Sequence, residues 1–118
     1  MPTTAIHTFF EAWAEQDADR RDGKIDDTLG DSIFYADPRT EEPITDPASL
    51  KEYVGMFSQM APGMPVAAVN VSRTLDFARA TVHFGEGEQK QTGQYIADLD
   101  GEGRIIRMIG FVGMGEPG

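Results

Sequence analysis

Cysteine is missing from all 118 residues of the sequence, which removes disulfides, thiolate metal ligands and cysteine nucleophiles together. Positive charge is scarce: 10 Lys and Arg stand against 20 Asp and Glu, a formal net charge of -10. The phosphates of nucleic acid and of anionic membranes repel such a chain, so neither is expected as a partner. Histidine occurs only at His7 and His83, with no second ligand at metal-binding spacing, so no metal site is expected. Long apolar runs are absent too. The opening MPTTAIHTFFEAW has neither the basic start nor the apolar stretch of a signal peptide, and the expected location is the cytoplasm.

The apolar fraction, 40%, is still enough for a core. The length suits one domain spanning residues 1–118, with 115–118 as a frayed tail. Ile6, Phe9, Phe10 and Trp13 recur at i, i+3, i+4 and i+7 and predict a helix capped by Thr3 or Thr4. A more polar helix runs from about Ala18 to Leu29, weakened by Gly23 and closed by Gly30. Ser32–Asp37 is β-branched and aromatic, a short strand stopped by Pro38. Beyond a proline-punctuated loop, Asp46 caps a third helix with Pro47 at its first position. Its apolar face is Leu50, Tyr53, Val54, Phe57 and Met60.

From Val66 the period changes to two and predicts strands at Val66–Arg73, Ala78–Phe84, Gln91–Leu99 and Arg104–Val112. A break near Leu75–Asp76 and glycine turns join them, and such short connections make antiparallel neighbours. Helices first and sheet second give an α+β layout, with helices over one face of a curved sheet.

Several motifs fail on chemistry. Gly113, Gly115 and Gly118 spell a dinucleotide fingerprint, but no helix is predicted after them to hold a pyrophosphate. Asp98, Asp100 and Glu102 alternate like calcium ligands without an acidic residue at the twelfth loop position, and read as the rim of a hairpin turn. His7 belongs to the surface of the first helix. His83 alternates with Arg79 and Thr81 on the outer sheet face, opposite Ala80, Val82 and Phe84.

Asp37 is the chemically interesting residue. It ends a strand, precedes a proline and shares a face with Ile33 and Tyr35. Turned inward, that face puts a carboxylate at an apolar cavity lined by Phe9, Trp13, Phe57, Met60 and Phe84. Apolar walls disfavour the ionised form of a carboxyl group and bring it towards general-base work. The competing role is a turn opener, its carboxylate bonded to the N–H groups of the following loop.

The segment YADPRTEEPITDPASLKEYVGMF runs a strand into Asp-Pro, then Glu-Pro, then a helix, and DLDGEGRIIRMIGFVG forms a closing hairpin. Both resemble the nuclear transport factor 2-like superfamily, in its SnoaL-like and ketosteroid isomerase branches, over about Ile6 to Gly113. The resemblance implies a cone-shaped domain in which three N-terminal helices pack on a curved, mainly antiparallel sheet and enclose an apolar pocket. It sets Asp37 at the isomerase's catalytic base, Phe9 at its oxyanion-hole tyrosine and Tyr95 at its oxyanion-hole aspartic acid. Loss of one such donor costs on the order of 100- to 1000-fold in rate. Resemblance to SnoaL-like polyketide cyclases implies aldol-type ring closure by acid/base residues, without metal or cofactor.

The expectation is therefore a pocket for a small hydrophobic carbonyl compound. Asp37 and Tyr95 would be catalytic, and Phe9, Trp13, Tyr35, Tyr53, Phe57, Met60, Val82, Phe84 and Met108 would form the wall. For the aromatic and methionine side chains, plain core packing is the rival role. The alternative is a non-catalytic ligand-binding or dimeric interaction module. Epoxide hydrolysis, a third reading, requires an Asp–Arg–Asp arrangement inside the pocket, and alternation does not place Arg73, Arg79 or Arg107 inward. Charge is uneven as well: residues 1–52 hold 13 acidic and 5 basic side chains, residues 53–118 hold 7 and 5. The nearly neutral sheet half leaves an outer face for a homodimer, as in dimers of the superfamily.

Overall fold

A computed structural model describes residues 4–112 of the chain. The expected tail, the three fingerprint glycines and Thr3 as a helix cap lie outside the described residues. Helix α1 (Thr4–Ala14) buries Ile6, Phe9, Phe10 and Trp13, the stripe its period predicts, together with Ala12. Helix α2 (Ala18–Thr28) starts at Asp17, whose carboxylate accepts from the Arg20 N–H at 3.0 Å.

This polar helix docks partly through a buried cation. Arg21 Nε donates to the Glu15 carbonyl at 3.1 Å, and Nη2 donates to the Gln16 carbonyl at 3.3 Å and to Ser58 Oγ at 3.1 Å. The two carbonyls follow the end of α1, where positive charge complements the helix terminus. Ser58 belongs to α3 (Pro47–Met60), so one guanidinium ties three helices together. Asp46 caps α3 by accepting from the Ser49 N–H at 2.9 Å, with Pro47 in the first turn.

Strand β1 (Leu29–Ala36) begins where the second helix was expected to continue. Gly30 is therefore a strand residue and not a helix cap. A Cβ there would lie 2.6 Å from Ile106 Cγ2 and 2.9 Å from Asp100 Oδ2, so glycine permits the close approach of neighbouring chain. Strands β2 (Val66–Thr74), β3 (Phe77–Phe84), β4 (Gln91–Leu99) and β5 (Ile105–Val112) follow the period-two segments closely. Leu75, at φ 52, makes the left-handed step between β2 and β3, and its carbonyl accepts from Arg73 Nε at 2.7 Å.

The sheet order is β1-β5-β4-β3-β2, with β1 parallel to β5 and the other pairs antiparallel. A parallel pair needs a long crossover, which α3 and the intervening strands supply. Register shifts at Leu29/Phe34, Ala68/Asn70 and Asp98/Leu99 mark irregularities that bend the open sheet. Its inner face carries small buried residues, Ala78, Ala80 and Ala97, beside Val82, Leu99 and Met108. The room they leave is filled by the rings of α1, as close packing requires. Phe34, Phe77, Ile96 and Phe111 stay exposed on the outer face with Arg79. None of the described helices is long and apolar enough to cross a membrane.

Candidate functional site

The loop after β1 is fixed from both ends. Tyr35 and Ile44 exchange backbone hydrogen bonds of 2.8 Å in each direction. Between them Asp37 folds the chain back: its Oδ1 accepts from the Arg39 N–H at 2.9 Å and the Thr40 N–H at 3.2 Å, while Thr40 Oγ1 accepts from the Asp37 N–H at 3.1 Å. Asp37 thus takes up the turn-opening role that its position before proline allows.

Two phenols meet the same carboxylate. The Tyr35 hydroxyl, two residues back along β1, donates to Oδ2 at 2.6 Å. The Tyr53 hydroxyl, from the second turn of α3, lies 2.8 Å from Oδ1 and 2.7 Å from Oδ2, its single proton shared between them. Tyr95, on β4, lies beside this cluster, near enough for the Asp37 charge to act on its hydroxyl. Its ring packs edge-on against Phe10 with centroids 4.8 Å apart.

Burial is the main reason that all three phenols lose protons with more difficulty than free tyrosine, and the Asp37 charge pushes the same way. The hydroxyls are therefore donors throughout the neutral range. Arg39 opposes the shift at Tyr53 and at Tyr95 through its positive charge.

Beside this cluster lies a cleft of about 1060 Å³. Trp13, Phe57, Phe84 and Tyr95 form apolar wall, with Met56, Met60 and Met64 among the flexible side chains. Asp37, Arg39, Tyr53, Glu86, Gln91 and Thr92 supply the polar groups. Among the described residues, Trp13 Nε1 is buried without a hydrogen-bond partner.

Of the residues expected at a pocket, Asp37, Tyr95, Trp13, Tyr53, Phe57, Met60 and Phe84 line this one cleft. Met60, 76% exposed, is a rim residue, not part of the buried face of α3. Phe9, Val82 and Met108 are placed differently: they are fully buried core residues off the cleft lining, because the inner sheet face packs directly against α1. Tyr35 is also off the lining, and reaches the site only through its hydroxyl. None of Arg73, Arg79 and Arg107 lines the cleft; Arg107 pairs with Asp98 and Arg73 with Asp76. Asp100 accepts from the N–H groups of Glu102 and Arg104, the work of a turn.

Sequence reasoning missed Arg39 and Met64 on the lining, whereas Met56, weighed as pocket wall or core filler, is on it; it also missed how Tyr95 is held. Two strand glycines signal that: Gly93 and Gly110 sit where a Cβ would meet the Tyr95 ring at 3.2 Å and 2.5 Å.

No protein-family model matches the sequence, and no curated protein matches it either. Solved structures do. A candidate isomerase of the SnoaL-like family from Agrobacterium tumefaciens is similar at TM-score 0.81 and 22% identity, over 94% of this chain and 96% of that one. A candidate ketosteroid isomerase from Kribbella flavida is similar at TM-score 0.68 and 15% identity, over 98% and 80%. An NTF-2 like protein of unknown function from Burkholderia xenovorans is similar at TM-score 0.66 and 14% identity, over 98% and 86%. The chain thus has the nuclear transport factor 2-like fold. Within it, the architecture is the one shared by SnoaL-like and ketosteroid isomerase-like proteins. At these identities the likeness defines a fold, not an activity.

Proposed function

We propose that this protein binds a small hydrophobic carbonyl compound in the cleft and moves a proton on it. The observation that carries this reading is the convergence of Asp37, Tyr53 and Tyr95 on one largely apolar lining. The carbonyl oxygen accepts from the phenols, which polarises the bond. The Asp37 carboxylate takes the proton from the adjacent carbon, and the electron pair moves into an enolate whose oxygen the phenols stabilise. Returning the proton to a remote carbon isomerises a conjugated ketone. Attack of the enolate carbon on a second carbonyl instead closes a ring, that carbonyl's π pair becoming an alkoxide that takes the proton back from Asp37, as in a polyketide cyclase.

Tyr53 is the natural mobile donor, because it is shared between both carboxylate oxygens. Turning it from Asp37 to the ligand oxygen frees a lone pair on the carboxylate to accept the proton of the adjacent carbon. One motion would then prepare both base and oxyanion site.

A second reading, binding without turnover, is favoured by the four donors already engaged by Asp37. Hydrogen–deuterium exchange at the carbon next to the carbonyl, followed by NMR across a panel of hydrophobic ketones, separates the two. The acid/base reading expects exchange by the wild type and a loss of about 100-fold or more in Asp37→Asn. Unchanged exchange in that variant removes the base; binding with no exchange at all leaves the second reading.

A further inference from the structure

We infer that the compound enters as a monocarboxylic acid, its carboxylate paired with Arg39 at the cleft mouth and its carbonyl oxygen on the phenols. This deepens the carbonyl-binding reading and rests on it. Arg39 is the single basic residue among the described residues of the lining, in a chain of net charge -10. It is exposed and takes part in no ion pair among the described residues, although Glu41 and Glu42 follow it in the chain. Lys24, Lys51, Arg73, Arg104 and Arg107 all have carboxylate partners. A cation without an ion-pair partner beside a cleft is available for a ligand anion.

Its position is set by the same turn that sets the site. The Arg39 N–H is held on Asp37 Oδ1 at 2.9 Å, so the carboxylate facing the phenols also fixes the residue carrying the guanidinium. The positive charge acts on the Tyr53 and Tyr95 hydroxyls, which places it within electrostatic reach of the carbonyl position. A guanidinium presents a planar fork that matches a carboxylate in two parallel hydrogen bonds. Trp13, Phe57 and Phe84 accept the apolar body of the same molecule.

The other charges on the lining restrict the ligand to one acidic group. Asp37 and Glu86 are both acidic, so a second carboxylate has no partner and is repelled. Asp37 also steers the single carboxylate away from the phenols, leaving them to the carbonyl oxygen. An amphipathic oxo acid engages Arg39, the phenols and the apolar wall together, and a neutral ketone leaves Arg39 unused.

The test titrates the fluorescence of Trp13, the sole tryptophan, with 4-oxo-4-phenylbutanoate, whose carboxylate is spaced from its carbonyl, and with its ethyl ester. The acid is expected to bind at least about 10-fold more tightly than the ester, from one charge-assisted pair. That advantage is expected to shrink with added salt and to vanish in Arg39→Gln, with Arg39→Lys in between. Equal affinity of acid and ester, both weakened by Tyr53→Phe, overturns the acid preference and leaves the carbonyl site standing. Failure of both ligands to bind overturns the two together.

Discussion

Gly110 lies directly across the β4–β5 ladder from Tyr95, and a methyl group added there would stand 2.5 Å from Tyr95 Cε2. The tyrosine ring occupies the space of the missing side chain. Gly110→Ala is therefore expected to displace Tyr95, at a cost of roughly 1–3 kcal/mol from overpacking. Urea unfolding measures it. Adding Tyr95→Val should recover much of the loss, and an uncorrected loss would mean that the ring is not the source of the strain.

Arg21→Met is expected to destabilise the fold by about 2 kcal/mol, since three hydrogen bonds from one charged group disappear and the buried Ser58 hydroxyl loses its partner. Ser58→Ala should cost less. Combining the two should cost less than the sum, because both remove the same contact. Additive losses would show that Arg21 and Ser58 act independently.

Alkali is expected to unfold the protein early. The three clustered phenols bind their protons more tightly when folded than at the ordinary tyrosine value near 10. Their contribution is complete below that value and is lost progressively as pH rises above it. Urea midpoints should hold up to about pH 10 and fall above it, and Tyr53→Phe should flatten the fall; a wild-type profile that stays flat above about pH 10 would contradict the shifts.

Acid acts on a different set. Glu15, Asp46 and Asp100 are held below their usual values, chiefly by the backbone N–H groups of Asp17, Ser49 and Arg104. Their contribution is present above the ordinary carboxylate range and is lost as pH falls through it. Asp46→Asn keeps the cap but not the charge, so it should reduce this acid sensitivity while leaving α3 formed by circular dichroism.

A second copy is proposed to cover the outer sheet face, where Phe34, Ile96 and Phe111 flank the Asp98–Arg107 pair. Sedimentation velocity is expected to give a dimer, and Ile96→Glu a monomer of unchanged fold. A wild-type monomer at all concentrations would remove the proposal.

The helices were legible because burial and period coincide. Phe9, Phe10 and Trp13 could only form one stripe, and Asp46-Pro47 is a start signal whose physics is local. The strand around Asp37 was legible for the same reason, since Ile33 and Tyr35 alternate with Phe34. What escaped was long-range. Gly30 looks like a helix stop until Ile106 is brought against it, and no local pattern tells that β1 will lie parallel to β5. Phe9 and Phe57 are both apolar, and only the packing of α1 onto the sheet decides that one is core and the other cleft wall. Asp37 takes the turn-opening role through Oδ1, and the same carboxylate also accepts from Tyr35 and Tyr53 at the cleft, a convergence that only the fold reveals.

The bridge between Tyr35 and Ile44 and the turn closed by Asp37 and Thr40 act only through backbone, through Asp37 and through Thr40. The side chains of Pro38, Arg39, Glu41 and Glu42 hang on this frame without holding it. The segment is thus an exchangeable cassette: its outward residues are open to replacement, by evolution or by design, with the scaffold unaltered. A new ligand preference could be acquired there in one or two substitutions, without disturbing the donors behind it.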